Sequence, residues 1–441
     1  MPKAFHISDA PCDNTGASTT VTSSFGRSVE DRPLRALHFG RPDATLRVLV
    51  VAGQHGDERH ARIAVEEFAG QASTRARELD MALTLVPDAN PDAALQRQRR
   101  NALAVDLNRD HQLLSSPETR ALHRLMRALE PHLFVDVHTY PTCRRHLLQL
   151  GLAYCHDIFV ELPTNPNAGH AFDGPAGAGF LGGVTGDLER AGFRSARYTL
   201  FRPKGRVRHG TLDIRDARNW LSVRYGLPCV LVEGRTPRRS DGRPGRNRAR
   251  EALKTALRSV LETASARRAE LCSTPERRRK VALSCRYVAQ AQPRCFDFLD
   301  LRSGQVRSVR WPSRFESVVR PYRHVHLPCA YAIPSGLGKV IEVLSRHGFH
   351  VRKADFDGPV EAVRYRMLET ETGLTRRRPR VRAVREPTRL RDYVQVSARE
   401  RSGVALALLL EPRSRFGLVR YPGLGLRFDP DGAYPILRLE R

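Results

Sequence analysis

From about residue 31 the chain alternates between short, wholly apolar runs and longer amphipathic ones. LRVLVVAG at 46–53 is apolar at nearly every position, as a strand covered on both faces of a sheet would be. ERHARIAVEEFAG, which follows it, has helical periodicity, and its last glycine suits a C-cap. MALTLVP at 81–87, HLFVDVHTY, expected to end as a strand at His138, and PCVLVEG at 228–234 are three further buried strands. Between them, PETRALHRLMRALE reads as a helix with Ser116 as N-cap and Pro117 as its first residue, and 214–226 as another. This alternation predicts an α/β fold: a mainly parallel or mixed sheet with helices on both faces, whose functional groups gather at the carboxyl ends of strands. His55, His138 and Glu233 stand at or just beyond such ends.

The intervening segments set the expected domains. Residues 1–30 lack periodicity and read as a loose leader; 31–272 form the first domain; 281–441 form a smaller, basic α/β domain beyond a linker at 273–280. Within the first domain, 141–212 is polar and glycine-rich and reads as loop, including GPAGAGFLGG at 174–183, which lacks the GK[ST] ending of a phosphate loop. TPRRSDGRPGRNRAR at 236–250 reads as a basic loop before a helix. The second domain should contain a hairpin around Ser303-Gly304 and a helix ending at Gly348. No internal repeat is visible.

Composition adds one unusual feature, a formal net charge of +27 across 441 residues. More than half of it lies beyond residue 270, where 34 Lys and Arg face 17 Asp and Glu. Such a field attracts anions, but aromatic residues make up only 7% and do not interleave with the arginines, so no nucleic-acid-binding domain is expected. Cys12, Cys143, Cys155, Cys229, Cys272, Cys285, Cys295 and Cys329 are scattered without a CxxC pair, which argues against a disulfide framework or a cysteine metal site. With no apolar signal region and no run long enough to span a membrane, a soluble cytoplasmic protein is expected. The oligomeric state is not legible.

HGDE at 55–58 puts an imidazole and a carboxylate three residues apart where a buried strand gives way to a helix, and a turn there can aim both at one point. Zinc accepts nitrogen and carboxylate oxygen, and catalytic sites use three protein ligands with the fourth position left for water. His138 is the candidate third ligand. The segment NPDAALQRQRRNALAVDLNRDH, from Asn90 to His111, makes the pattern specific. HxxE, NPD, RxN, VDLNR, a strand ending in His and a strand ending in Glu occur in that order, and over about 46–235 the chain resembles the zinc carboxypeptidase family. Its tail, with PCAYAIP, SRHG and LLLEPRSRFGL, resembles the carboxy-terminal extension of a bacterial subgroup, and its motifs read as domain packing.

The resemblance implies a carboxypeptidase-like fold and a Zn2+ site of His55, Glu58 and His138. It implies Glu233 as general base, Arg99 as partner of the developing oxyanion, with Arg100 one register step away, and Asp106 as orienter of His55. Asn108 and Arg109 would grip a free substrate carboxylate, a task suited to a guanidinium fork. Zinc would lower the pKa of its water to about 7, and Glu233 would carry the proton to the leaving amine. The family's substrate-closing tyrosine falls here on Thr211, with Tyr198 or His209 as replacements, and gapless alignment puts Arg218 at the pocket floor, where it would favour an acidic side chain. The expected activity is removal of a C-terminal residue from a peptide. A deacylase of the related aspartoacylase and succinylglutamate desuccinylase type, acting on N-acyl amino acids, is the alternative, and a non-enzymatic anion- or partner-binding protein is a third.

Overall fold

In the computed structural model, which describes residues 20–168, 174–202, 206–273, 278–290, 294–311, 315–356, 358–368, 380–399 and 402–440, the four apolar runs are neighbours in one sheet. Strands Met81–Val86, Leu46–Val51, Leu133–Pro141 and Cys229–Thr236 lie side by side in that order, all parallel. Pro33–Phe39 and then Val21–Arg27 extend one edge, and Ile158–Glu161 and then Ser195–Arg197 the other, giving eight strands of mixed direction. The fold class is the expected mixed α/β one.

Alternate residues of the central strands feed two cores, which is why these runs are continuously apolar. Val48 and Val50 pack with helices Arg59–Glu78, Pro175–Arg190 and Gly242–Ala266. Leu49 and Val51 pack on the opposite face with helices Pro117–Leu129 and Ala217–Tyr225. That second core continues into the tail through helix Gly403–Leu410 and residues such as Tyr331, Tyr434 and Ile436, so the segments before and after 273–280 share it.

Several local expectations are corrected. Of the expected leader, 1–19 lie outside the described residues, and Val21–Arg27 is a strand held against Pro33–Phe39. The helix after His55 does not stop at Gly70, because its buried stripe continues through Ala72 and Ala76 to Glu78. The strands bearing His138 and Glu233 continue to Pro141 and Thr236. GPAGAGFLGG is helix, with Pro175 in its first turn and Phe180, Leu181, Val184 and Leu188 buried. Among its glycines Gly179 is closely approached, by the flexible end of Arg267, whereas a Cβ on Gly182 would meet nothing within 4 Å. The basic stretch after 236 is helical from Gly242. The expected hairpin forms between Arg294–Asp300 and Val306–Trp311, with Gly304 at φ 70°, and helix Gly338–Arg346 ends before Gly348 at φ 74°.

The passage from 141 to 212 also supplies strands that bind it to the tail. Leu152–Tyr154 pairs with Arg294–Asp300, and Val207–His209 pairs with Phe315–His326. Those pairings belong to two small sheets, and a fourth, six-stranded sheet runs Val351–Lys353, Tyr393–Ser397, Ala330–Pro334, Leu437–Leu439, Val360–Met367, Val381–Thr388, with every neighbour antiparallel. Among the described residues no cysteine is in a disulfide, and no helix is long and apolar enough to cross a membrane.

At the centre of the tail Glu411 is fully buried, accepting from Tyr331 Oη at 2.9 Å and from Arg438 Nη1 at 2.7 Å. Arg438→Ala leaves that carboxylate uncompensated and is expected to destabilise the protein by about 3–5 kcal/mol, read from denaturant unfolding. A loss under about 1 kcal/mol, the range of exposed pairs, would show that the pair does not brace the sheet.

Candidate metal centre and adjoining cleft

Beyond strand Leu46–Val51, a turn carries His55 and Glu58 to the start of helix Arg59–Glu78. Gly56 is required inside it, since a Cβ there would sit 2.1 Å from the backbone carbon of Ala93. Ala93 lies on helix Pro91–Gln96, whose cap Asn90 also donates from Nδ2 to the Gln54 carbonyl at 3.1 Å. Asp92 accepts from Ser28 Oγ and the Glu30 amide. The NPD motif therefore braces the turn.

Three donors converge there. His55 Nδ1 is 2.7 Å from Glu58 Oε1, and His138 Nδ1 is 2.9 Å from Glu58 Oε2. One ligand atom from each of the three buried residues lies within 4.8 Å of the others, so the group could hold a metal ion. Two imidazole nitrogens and a carboxylate oxygen suit a divalent ion that prefers nitrogen and oxygen, with a position left for water. The far ring nitrogens are also held: His55 Nε2 is 3.1 Å from Asp106 Oδ1, and His138 Nε2 is 2.9 Å from Asp136 Oδ1. Such carboxylates fix ring orientation. Asp136 was not singled out from the sequence, although it lies two residues before His138 and so on the same face of one strand.

Electrostatics reinforce the grouping. Burial alone would raise the Glu58 carboxyl, but His138 and His55 pull it well below the usual carboxylate range. Burial likewise opposes charge on His138, but Asp136 and Glu58 raise it well above an ordinary histidine. Glu233 lies directly opposite His138 in the parallel pairing of Cys229–Thr236 with Leu133–Pro141, so both side chains leave the same face. Burial, opposed by His138 and His55 and helped by Glu58, pushes the Glu233 carboxyl up to about 7.

The other expected residues fall around this group. Arg99 Nε donates to Asp106 Oδ2 at 3.0 Å and its Nη1 is 4.0 Å from Glu58 Oε1, whereas Arg100 turns to the Ala104 carbonyl. Asn101 accepts from the Leu103 and Val105 amides and shapes the intervening loop. Asn108 places Nδ2 3.0 Å from His138 Nε2 and accepts the Ala217 amide on Oδ1 at 2.8 Å. Arg109 donates to the Asn108 carbonyl and lines the adjoining cavity. Arg218 is 3% exposed, beneath Gly210, and its Nε and Nη1 have no hydrogen-bond partner among the described residues. Of the residues considered for substrate closure, Thr211 donates to Asp216 and lines the cavity, and His209 packs edge-on against Phe315. Tyr198 lies close enough to Glu233 for that carboxylate, together with burial, to raise its hydroxyl.

The cavity, of about 570 Å³, is lined by Arg109, Thr211, Asp213 and Arg215 together with Arg415, Phe416, Arg420 and Tyr421 from the tail. These last four went unread because the motif around them is built for packing. Leu408, Leu409, Leu410 and Leu418 are indeed buried, whereas Arg415 and Phe416 between them, and Arg420 and Tyr421 just beyond, reach the cleft.

Residues 44–192 match the family model of the succinylglutamate desuccinylase/aspartoacylase catalytic domain. This segment, less than half of the chain, contains His55, Glu58, Arg99, Asp106, Asn108, Arg109 and His138 and stops short of Glu233. Comparison with curated proteins found no match. Solved structures with a similar fold include a metallo-carboxypeptidase from Burkholderia cenocepacia, 19% identical over 56% of this chain and 65% of that one, TM-score 0.42. Another, from Pseudomonas aeruginosa in complex with (2-guanidinoethylmercapto)succinic acid, is 22% identical over 57% and 65%, TM-score 0.43. The murein-tripeptide amidase of Escherichia coli O157 is 18% identical over 54% and 94%, TM-score 0.35. The chain thus spans less than two thirds of the first two.

If Asp106 orients His55, Asp106→Ala should weaken metal binding by about 10–100-fold in chelator competition, with His138→Ala weakening it further. Unchanged affinity in both variants would remove the metal from this cluster.

Proposed function

We propose that the protein is a zinc-dependent amide-bond hydrolase acting on a small substrate with a free carboxylate, and that this substrate is an N-acyl amino acid. The observation that carries the hydrolase reading is the strand register that sets Glu233 beside His138, next to three convergent donors. Zinc held by His55, Glu58 and His138 would supply Lewis acidity and an ionisable water at neutral pH. Glu233 would serve as general base toward an attacking water and return the proton to the leaving amine, a task suited to a carboxyl poised near neutrality. Arg99, beside Glu58, faces the negative charge that develops on the substrate carbonyl oxygen. Asn108 and Arg109 hold the free carboxylate, and the buried, unpartnered nitrogens of Arg218 take an acidic side chain of the leaving amino acid.

The match over 44–192 to the succinylglutamate desuccinylase/aspartoacylase catalytic domain supports an acyl amino acid over an extended peptide. The motif order shared with zinc carboxypeptidases favours a second reading, release of a C-terminal acidic residue from a short peptide by the same groups.

A panel of N-acyl amino acids and C-terminally varied peptides should show turnover of acidic members, with Glu233→Gln lowering kcat by about 10²–10⁴-fold. Turnover of no panel member by the unsubstituted protein would leave an anion-binding protein, and turnover unchanged by Glu233→Gln would remove Glu233 as the base. The rate should fall as pH drops, because the base works only when ionised. A bound dication favours the ionised form, so the acid limb belongs between 4.5 and about 7. A limb above that interval would assign the titration to another group. Arg218→Gln should raise KM for acidic substrates by about ten-fold or more and leave neutral ones unchanged. Equal losses for both would exclude it from side-chain recognition.

A further inference from the structure

The cavity beside Arg109 holds more positive charge than one substrate carboxylate requires. Arg109, Arg202, Arg208, Arg215, Arg415 and Arg420 line it, against the single acid Asp213. Asp213 is already engaged by Arg215, whose Nε and Nη2 donate to it at 2.9 and 2.6 Å. Arg202, Arg208, Arg415 and Arg420 form no ion pair among the described residues. They come from separate parts of the chain: Arg208 from strand Val207–His209, Arg202 just after Thr199–Phe201, Arg415 and Arg420 from the segment after helix Gly403–Leu410.

Two of them, Arg208 and Arg415, have aromatic supports. The Arg208 guanidinium lies 4.8 Å from the centre of the Tyr287 ring, and its Nε is buried without a hydrogen-bond partner. Arg415 lies 5.7 Å from the centre of the Phe416 ring. Burial, and after it the like charge of Arg202, holds Arg208 below the usual arginine value. Guanidinium groups gathered without counter-charges repel one another, and an anion with several oxygens placed among them would relieve the repulsion and supply acceptors in fork geometry.

We propose that this cavity is a second anion subsite, which binds a phosphate or carboxylate group of the ligand distinct from the carboxylate at Arg109, and that Arg415 and Arg420 give the tail a direct part in recognition. The ligand is therefore multiply anionic. The proposal rests on the hydrolase reading only in identifying this ligand as substrate. Binding is measured without turnover, so its failure leaves that reading standing.

The test is calorimetric titration of the full-length, metal-loaded protein with inorganic phosphate, propane-1,2,3-tricarboxylate and, as a singly charged reference, butyrate. Arg415→Gln/Arg420→Gln is compared with Arg382→Gln/Arg385→Gln, a pair of exposed arginines outside the cavity that changes net charge equally. Both pairs are at the surface, and matched thermal unfolding confirms that each variant folds. Phosphate or the tricarboxylate should bind more tightly than butyrate, and the first variant should lose about ten-fold or more in affinity while the second keeps it. Which of the two binds better tells a phosphate ligand from a polycarboxylate. Equal losses in both variants would reduce the effect to the general positive field, and no loss in the first would remove Arg415 and Arg420 from binding. Either result overturns the proposal.

Discussion

A carboxylate held between two imidazoles deep in the protein is the constraint around which the site is built. Glu58 is 8% exposed, and placing its charge there costs several kcal/mol unless positive or polar partners surround it. His55, His138 and the Thr139 amide provide those partners, and Asp106 and Asp136 in turn fix the two rings. The cluster therefore carries two imidazoles and three carboxylates with little water access, a charge pattern suited to a bound dication. Gly56 and the NPD helix exist in this scheme to let the turn approach, and Asn108 links His138 to the first turn of helix Ala217–Tyr225.

The sheet supplies the second requirement, a carboxyl group in fixed relation to that cluster. Parallel pairing of two centrally placed strands puts Glu233 opposite His138, and a shift by one residue would turn it to the other core. Because the tail shares a core with the helices on that face, its arginines are held over the cleft by the same packing that stabilises the sheet. Recognition and stability are thus coupled through one layer.

Most of the site's inner part was legible because an apolar run meets a polar side chain at these positions, although the strands bearing His138 and Glu233 run three residues further. His55, Glu58, His138 and Glu233 stand out for that reason, and DxH within VDVH carried a readable signal for Asp136 as well. Helix Pro175–Arg190 was hidden because glycine signals a loop locally, whereas here the buried stripe of Phe180, Leu181, Val184 and Leu188 holds the segment helical. Gly70 misled in the same way, since only the buried Ala72 and Ala76 beyond it show that the helix continues. Arg415 and Arg420 were not legible at all. Arg415 sits inside a leucine-rich packing motif and Arg420 just beyond it, and most of the cleft residues they meet are some 200 or more residues earlier in the chain.

The central claim is that His55, Glu58 and His138 hold one catalytic divalent ion. Anomalous diffraction recorded on both sides of the zinc edge, from crystals of protein purified without chelator, tests it most directly. The account predicts a single strong peak bounded by His55 Nδ1, His138 Nδ1 and the Glu58 carboxylate, with Glu233 beside it. A crystal in which these three side chains keep their mutual hydrogen bonds with no peak between them, or in which zinc scatters from another cluster, would contradict it.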